Sequence, residues 1–256
     1  NQRMGGGTWV YLGTFDFDKG NSINNSVVLT NRSAHKGIVT ADAVRFGGGM
    51  GNIVRGTSVS GLPRFLEGAR YYTQWAGAPR NVVSTSNGSN DYNDDINSRS
   101  LMTNWLAGGS SYLPHVKDGK MVPIELSLAV HSDAGVKSDG SLVGTLGICT
   151  TQQGNSTLGD GLSRQVSKTL AQQLVANVKK DIEKSLNISW QTRSVWDRNY
   201  SETRLPAVPS AILETLSHQN FPDIKLGQDP NFKFTLARSI YKTILKYEAD
   251  MHHTRY

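Results

Sequence analysis

Two short apolar runs set the pattern of this chain. Residues 124–130 are mostly apolar, with a β-branched residue at each end, and read as a buried strand. Residues 205–214 form a second apolar run that ends in a carboxylate, Glu214. The first run is followed at once by His131, Ser132, Asp133, Ala134 and Gly135. Ligands in open α/β sheets bind beyond the carboxyl ends of strands. His131 and Glu214 are therefore expected at two such ends, where they can share one cleft. A neutral imidazole there is a metal ligand or general base; a hydrogen-bonded strand-end histidine is the plain alternative. A histidine near a carboxylate suits a zinc ion served by a general base.

The remaining elements follow from periodicity. Residues 142–150 read as a further strand. Residues 163–186 read as a long amphipathic helix, because Val166, Leu170, Leu174, Val178 and Ile182 recur every four residues. Residues 232–247 read as a closing helix. Earlier, 64–75 has helical spacing behind Pro63, and Glu67 lies in its first turn, where a carboxylate also suits the helix dipole. Residues 81–84 read as a short strand. The helix over 96–106 is expected to be capped by Asp94 or Asp95. The acidic run around it lacks the loop pattern of a calcium site. Arg204 stands before the Glu214 strand and is expected to face the cleft. His115 lies in a loop and is by default a surface residue.

Residues 1–57 are patterned differently. Aromatic and β-branched residues fill 8–17, 26–31 and 38–46, with turn signals between them, and read as strands without a helix. So few strands make a thin sheet that cannot close a sandwich alone. Residues 57–63 read as a linker. The expected architecture is α/β, an open mixed sheet flanked by helices over 58–256, preceded by part of an all-β sandwich over 1–57. In the first segment Trp9, Tyr11, Phe15 and Phe17 alternate; core packing explains them as well as a sugar-stacking platform does.

Composition narrows the function classes. The chain has 256 residues and a formal net charge of +6. Its sequence pI is about 9.4. The basic residues are scattered rather than blocked, so nucleic acid is not indicated; a basic surface suits an anionic polymer such as cell-wall glycan. The single cysteine, Cys149, lies in an apolar run and reads as core. No apolar run approaches membrane-spanning length.

Several stretches together resemble the zinc-dependent N-acetylmuramoyl-L-alanine amidases. They are His131-Ser132-Asp133-Ala134, residues 206–215 ending Glu214-Thr215, residues 218–223, and the helix-like run 229–247. Residues 90–104, with Arg99, resemble an earlier helix of that family. The resemblance spans about 63–248. It implies zinc as cofactor, His131 and Glu67 as metal ligands, Glu214 as catalytic general base, Arg99 in a structural role and peptidoglycan or another cell-surface glycan as partner. It also implies a bacterial protein that is secreted, periplasmic or at the cell surface. The chain departs from the family at two points. Asp133 replaces an asparagine, and no histidine in a glycine-framed loop precedes residue 63; His35 has no such frame. Residues 1–57, with Trp9 to Phe17 and Ala41 to Phe46, resemble the golvesin-type carbohydrate-binding-like sandwich found beside enzymes labelled "xanthan lyase". In such a combined architecture the β-domain is expected to interrupt the hydrolase domain. The missing histidine is then expected before Asn1, with an upstream fragment as partner. A non-catalytic glycan-binding protein and a polysaccharide lyase are the competing classes; no motif assembles the base and cation that a lyase needs.

Overall fold

Residues 210–217 are apolar enough to be covered on both sides, and this fixes the centre of the sheet. The structure, a computed structural model, describes residues 2–4, 6, 7, 9–13, 15–20, 23, 25–46, 54–62 and 66–254. Its main sheet contains β3 (Ser127–Asp133), β4 (Leu146–Cys149), β5 (Trp196–Asp197) and β6 (Ser210–Ser217), in the order β3-β6-β4-β5. β3 runs parallel to β6, β4 runs antiparallel to β6, and β5 runs parallel to β4. The sheet is therefore mixed. Helices flank it: α1 (Ala69–Trp75), α2 (Arg80–Val83), α3 (Asp91–Ala107), α4 (Gln165–Leu186), α5 (Ser201–Arg204), α6 (Phe221–Gly227) and α7 (Pro230–Met251). A small hairpin, β1 (Val54–Arg55) with β2 (Ser58–Val59), precedes them.

The two faces of β6 bury different things. Ala211 and Leu213 join the main core with Leu170, Leu174, Val178 and Ile182 of α4 and Phe232 and Tyr247 of α7. The four-residue recurrence in α4 produces that buried stripe. Gly147 lets α4 close on β4: a Cβ there would meet Val175 Cγ2 at 2.9 Å and Ala171 O at 3.0 Å. On the opposite face Ile212 packs with Leu146, Ile148 and Ala129 in a smaller cluster. Alternation along the strands puts Glu214 and His131 on that second face. Asn187, in the left-handed region, ends α4.

Several sequence expectations are corrected. Residues 81–84 are not a strand; Arg80–Val83 is a helical turn behind Pro79. α3 begins at Asp91, capped by Asn90, whose side chain accepts from Asn93 N–H. Asp94 and Asp95 are inside the helix, and arginines hold them there. Arg55 reaches Asp94 and Asp91, while Arg70 reaches Asp91 and Asp95. Part of the expected linker forms β2. Among the described residues from 2 to 46 no strand is assigned, against the three expected at 8–17, 26–31 and 38–46. β-Propensity is a preference for a pleated, half-buried surface, and here Leu12, Phe15, Val28, Ile38 and Phe46 are exposed. The proposed start at Pro63 to Phe65 lies outside the described residues.

Candidate functional site

β3 and β6 are neighbours, and their register pairs His131 with Glu214. Side chains directly opposite on one face of paired strands stand about 4.5–5.5 Å apart at Cβ, so the pairing itself brings the imidazole and the carboxylate together. His131 Nδ1 lies 4.0 Å from Glu214 Oε1, beyond hydrogen-bond reach. Both residues lie inside their strands: His131 is followed by Ser132 and Asp133 of β3, and Glu214 by three further residues of β6. The expected strand-end positions are corrected accordingly. The reason is the sheet: a parallel neighbour on β6 extends the β3 ladder past Val130.

The third member of the site comes from α5. Glu202 Oε2 lies 3.1 Å from His131 Nε2. Its charge is shared with Arg99 on α3, whose Nη1 is 3.3 Å away, and Arg99 Nη2 in turn meets Asp95 at 2.9 Å. A chain of charges thus runs from Glu214 through His131, Glu202, Arg99 and Asp95 to Arg70. The hydrogen bond to Glu202 raises the His131 pKa, against the effect of burial. Burial would raise Glu202, but the hydrogen bond to His131 and the charges of His131 and Arg99 outweigh it and hold its carboxyl low. Glu214 is pushed up, first by burial and then by Asp133 and Glu202. Two carboxylates flank one imidazole, and their environments drive them apart in acidity. Such a separation marks a low-pKa positioning group and a proton-accepting one.

Neighbours hold this arrangement. Thr215 Oγ1 donates to the His131 carbonyl at 2.9 Å. Arg193 Nη1 reaches Asp133 Oδ2 at 2.6 Å. That bond lowers the Asp133 carboxyl in spite of its burial. Asp133 therefore has a cation of its own. Glu214 Oε2 is buried without a hydrogen-bond partner.

Glu67 is placed before α1, where Ser60 Oγ donates to its Oε1. Its Oε2 is buried and unpartnered. Among the described residues it shares no hydrogen bond or ion pair with His131. Its link to the site is indirect: a Cβ on the adjacent Gly68 would lie 2.9 Å from Asp95 Oδ1. Arg204 is not brought to Glu214. Its Nε donates to Asn199 Oδ1 at 2.6 Å. It lines a cavity of about 390 Å³ with Leu158, Arg164 and Ala207, beside the amino end of β6. Cys149 is fully buried, and burial pushes its thiol up to about 11, as a core cysteine requires. His115 is exposed.

The donor chemistry suits a zinc ion in kind: an imidazole with a ring nitrogen outside hydrogen-bond range, and two buried carboxylate oxygens without partners. The donors around His131 do not converge on one point. Among the described residues the group whose three donor atoms lie within 4.8 Å of one another is Glu125, Glu248 and His252, elsewhere in the fold. Sequence reasoning missed Glu202. Nothing in the pattern of a four-residue helix marks it, and its partner is 71 residues away.

No curated protein matches the chain in sequence. Among the solved structures similar to it are N-acetylmuramoyl-L-alanine amidases. CwlD of Clostridioides difficile, in complex with the GerS lipoprotein, is 18% identical with a TM-score of 0.43; the match covers 65% of this chain and 69% of that one. The catalytic domain of CwlV from Bacillus (Paenibacillus) polymyxa var. colistinus is 17% identical, with a TM-score of 0.34 over 48% and 57% of the two chains. Ami1 of Mycobacterium smegmatis is 16% identical, with a TM-score of 0.41 over 59% of each. The chain thus spans less than two thirds of the second and third. At its other end, residues 1–48 match the model of the Golvesin C-terminal domain family.

Proposed function

We propose that this chain is a zinc-dependent hydrolase that cleaves the amide between muramic acid and the stem peptide of peptidoglycan. The observation that carries it is the register pair His131–Glu214, with Glu214 buried, raised in pKa and left with an unpartnered oxygen. His131 and Glu67 would hold the metal, two of the three protein ligands usual at a catalytic zinc. Zinc, when bound, lowers the pKa of a water and polarises the scissile carbonyl. Glu202 accepts the Nε2 proton of His131, which fixes the tautomer and leaves Nδ1 as the donor. Glu214 takes the proton from the attacking water and returns it to the departing amine as the carbon–nitrogen bond breaks. The amide substrate is what the resemblance of His131-Ser132-Asp133-Ala134 and the Glu214 strand to the N-acetylmuramoyl-L-alanine amidases implies. A cell-wall substrate places the protein outside the cytoplasm, secreted, periplasmic or at the cell surface. No helix among the described residues is long and apolar enough to cross a membrane.

Glu214→Gln keeps size and removes basicity. It is expected to retain fold and zinc content while lowering peptide release from muropeptides by about a hundredfold or more. The assay measures release and metal on the same sample. Near-normal turnover would remove Glu214 as the base; loss of zinc would make it a ligand. A second reading, glycan binding, is favoured by the exposure of Trp9, Tyr11, Phe15 and Phe17; Arg45 lies over the Trp9 ring and Phe46 meets the Phe17 ring edge-on. It takes over if the wild-type chain binds glycan and cleaves no muropeptide.

A further inference from the structure

A second group of donors lies at the opposite end of β3. Glu125 precedes β3 by two residues, and α7 ends against it, with Glu248 in its last turn and His252 as its C-cap. His252 Nε2 is 2.5 Å from Glu125 Oε2 and 3.7 Å from Glu248 Oε2. One donor atom from each residue lies within 4.8 Å of the other two. The geometry points to a divalent-metal site formed by Glu125, Glu248 and His252, separate from the His131 site.

Three independent observations support it. The donors arrive from two elements that only the tertiary fold joins, the Glu125–His252 contact spanning 127 positions of sequence. Glu248 Oε1 is buried without a hydrogen-bond partner. A buried carboxylate oxygen in that state carries an uncompensated desolvation cost. The two carboxylates also repel one another, which a cation or a proton must relieve. Tyr112 closes one side, its ring edge-on to His252 at 6.4 Å.

The donor set selects the ion. One imidazole with two carboxylates suits a borderline transition metal such as zinc; magnesium and calcium prefer all-oxygen shells. His252 is about half exposed, so a bound ion keeps positions for water. The ion's role follows from the topology. It clips the end of α7 to the entry of β3, and an ion that binds only the folded chain stabilises it by mass action.

The test uses the full chain stripped of metal and titrated with zinc alone, read by calorimetry, elemental analysis and thermal midpoint. The wild type is expected to bind, besides the zinc of the His131 site, a second zinc that Glu125→Gln and His252→Ala each weaken about tenfold or more, the scale seen even for outer-shell partners. That zinc persists in His131→Ala and raises its thermal midpoint. Magnesium and calcium at equal concentration leave the midpoint where it was. His252 is a partly exposed cap, so His252→Ala serves if Glu125→Gln does not fold. Identical zinc stoichiometry and affinity in the wild type and in the foldable variants would overturn the site. So would loss of all zinc in His131→Ala alone, a result that leaves the hydrolase proposal standing. Loss of zinc in His252→Ala with no change in His131→Ala would do the reverse.

Discussion

Glu214 interrupts β6, whose other residues are all buried, and no packing argument explains a carboxylate there. An unpaired acid in that position persists only where it is protonated, paired or functional. Its partner His131 is held from the far side by Glu202, and Glu202 by Arg99. Glu202 is thus a positioning residue, and its loss has a particular signature. Glu202→Gln keeps the shape and leaves a weaker acceptor for the Nε2 proton. It is expected to weaken zinc binding about ten- to a hundredfold and to lower kcat with it, while KM for a muropeptide stays near the wild-type value. Zinc titration and steady-state kinetics on one preparation check this. A raised KM with unchanged kcat and zinc affinity would assign Glu202 to substrate instead.

At the scale of elements, α3 is held to α1 and the β1–β2 hairpin through charge. Asp94 is fully buried and accepts from Ser86 N at 2.7 Å, Ser84 Oγ at 3.0 Å and Thr85 Oγ1 at 3.2 Å, besides Arg55. Burial alone would raise its pKa; these bonds outweigh burial and lower it. Asp95 is lowered in the same way by Arg99 and Arg70. A carboxylate lowered on folding contributes stability above its unfolded pKa, about 3.9. That contribution disappears as pH falls through the folded value. The thermal midpoint is therefore expected to start dropping as pH falls toward about 3.9 and to go on dropping below it. Asp94→Asn is expected to be less stable at neutral pH and to show a shallower acid slope. Parallel curves for the two proteins would exclude Asp94 as a source of the acid sensitivity.

Across the whole molecule the two parts of the chain are unlike. Residues 66–254 carry the sheet, the helices and the core clusters. The described residues from 25 to 46 have neither helix nor strand, and most are exposed. Backbone without a ladder is the preferred substrate of proteases. Limited proteolysis is expected to cut within 25–46 first and to leave a resistant fragment containing 66–254. Equal resistance of both parts would show that the first segment is protected in solution.

What the sequence determined by itself was local and periodic. The four-residue stripe of α4, the apolar runs of β3 and β6 and the closing helix were legible because burial on one face imposes a period that neighbouring residues share. His131 and Glu214 were legible because polar residues stand out in apolar runs. The described residues within 8–17, 26–31 and 38–46 carry no strand for the complementary reason: strand propensity expresses a neighbour's surface, and a neighbour is not written in the segment. Tertiary structure alone decided the rest. It placed Glu202 against His131 and Arg204 at a separate cavity, and it drew Glu125 to Glu248 and His252. Each of these depends on how helices close over a sheet, across separations at which no residue pattern repeats.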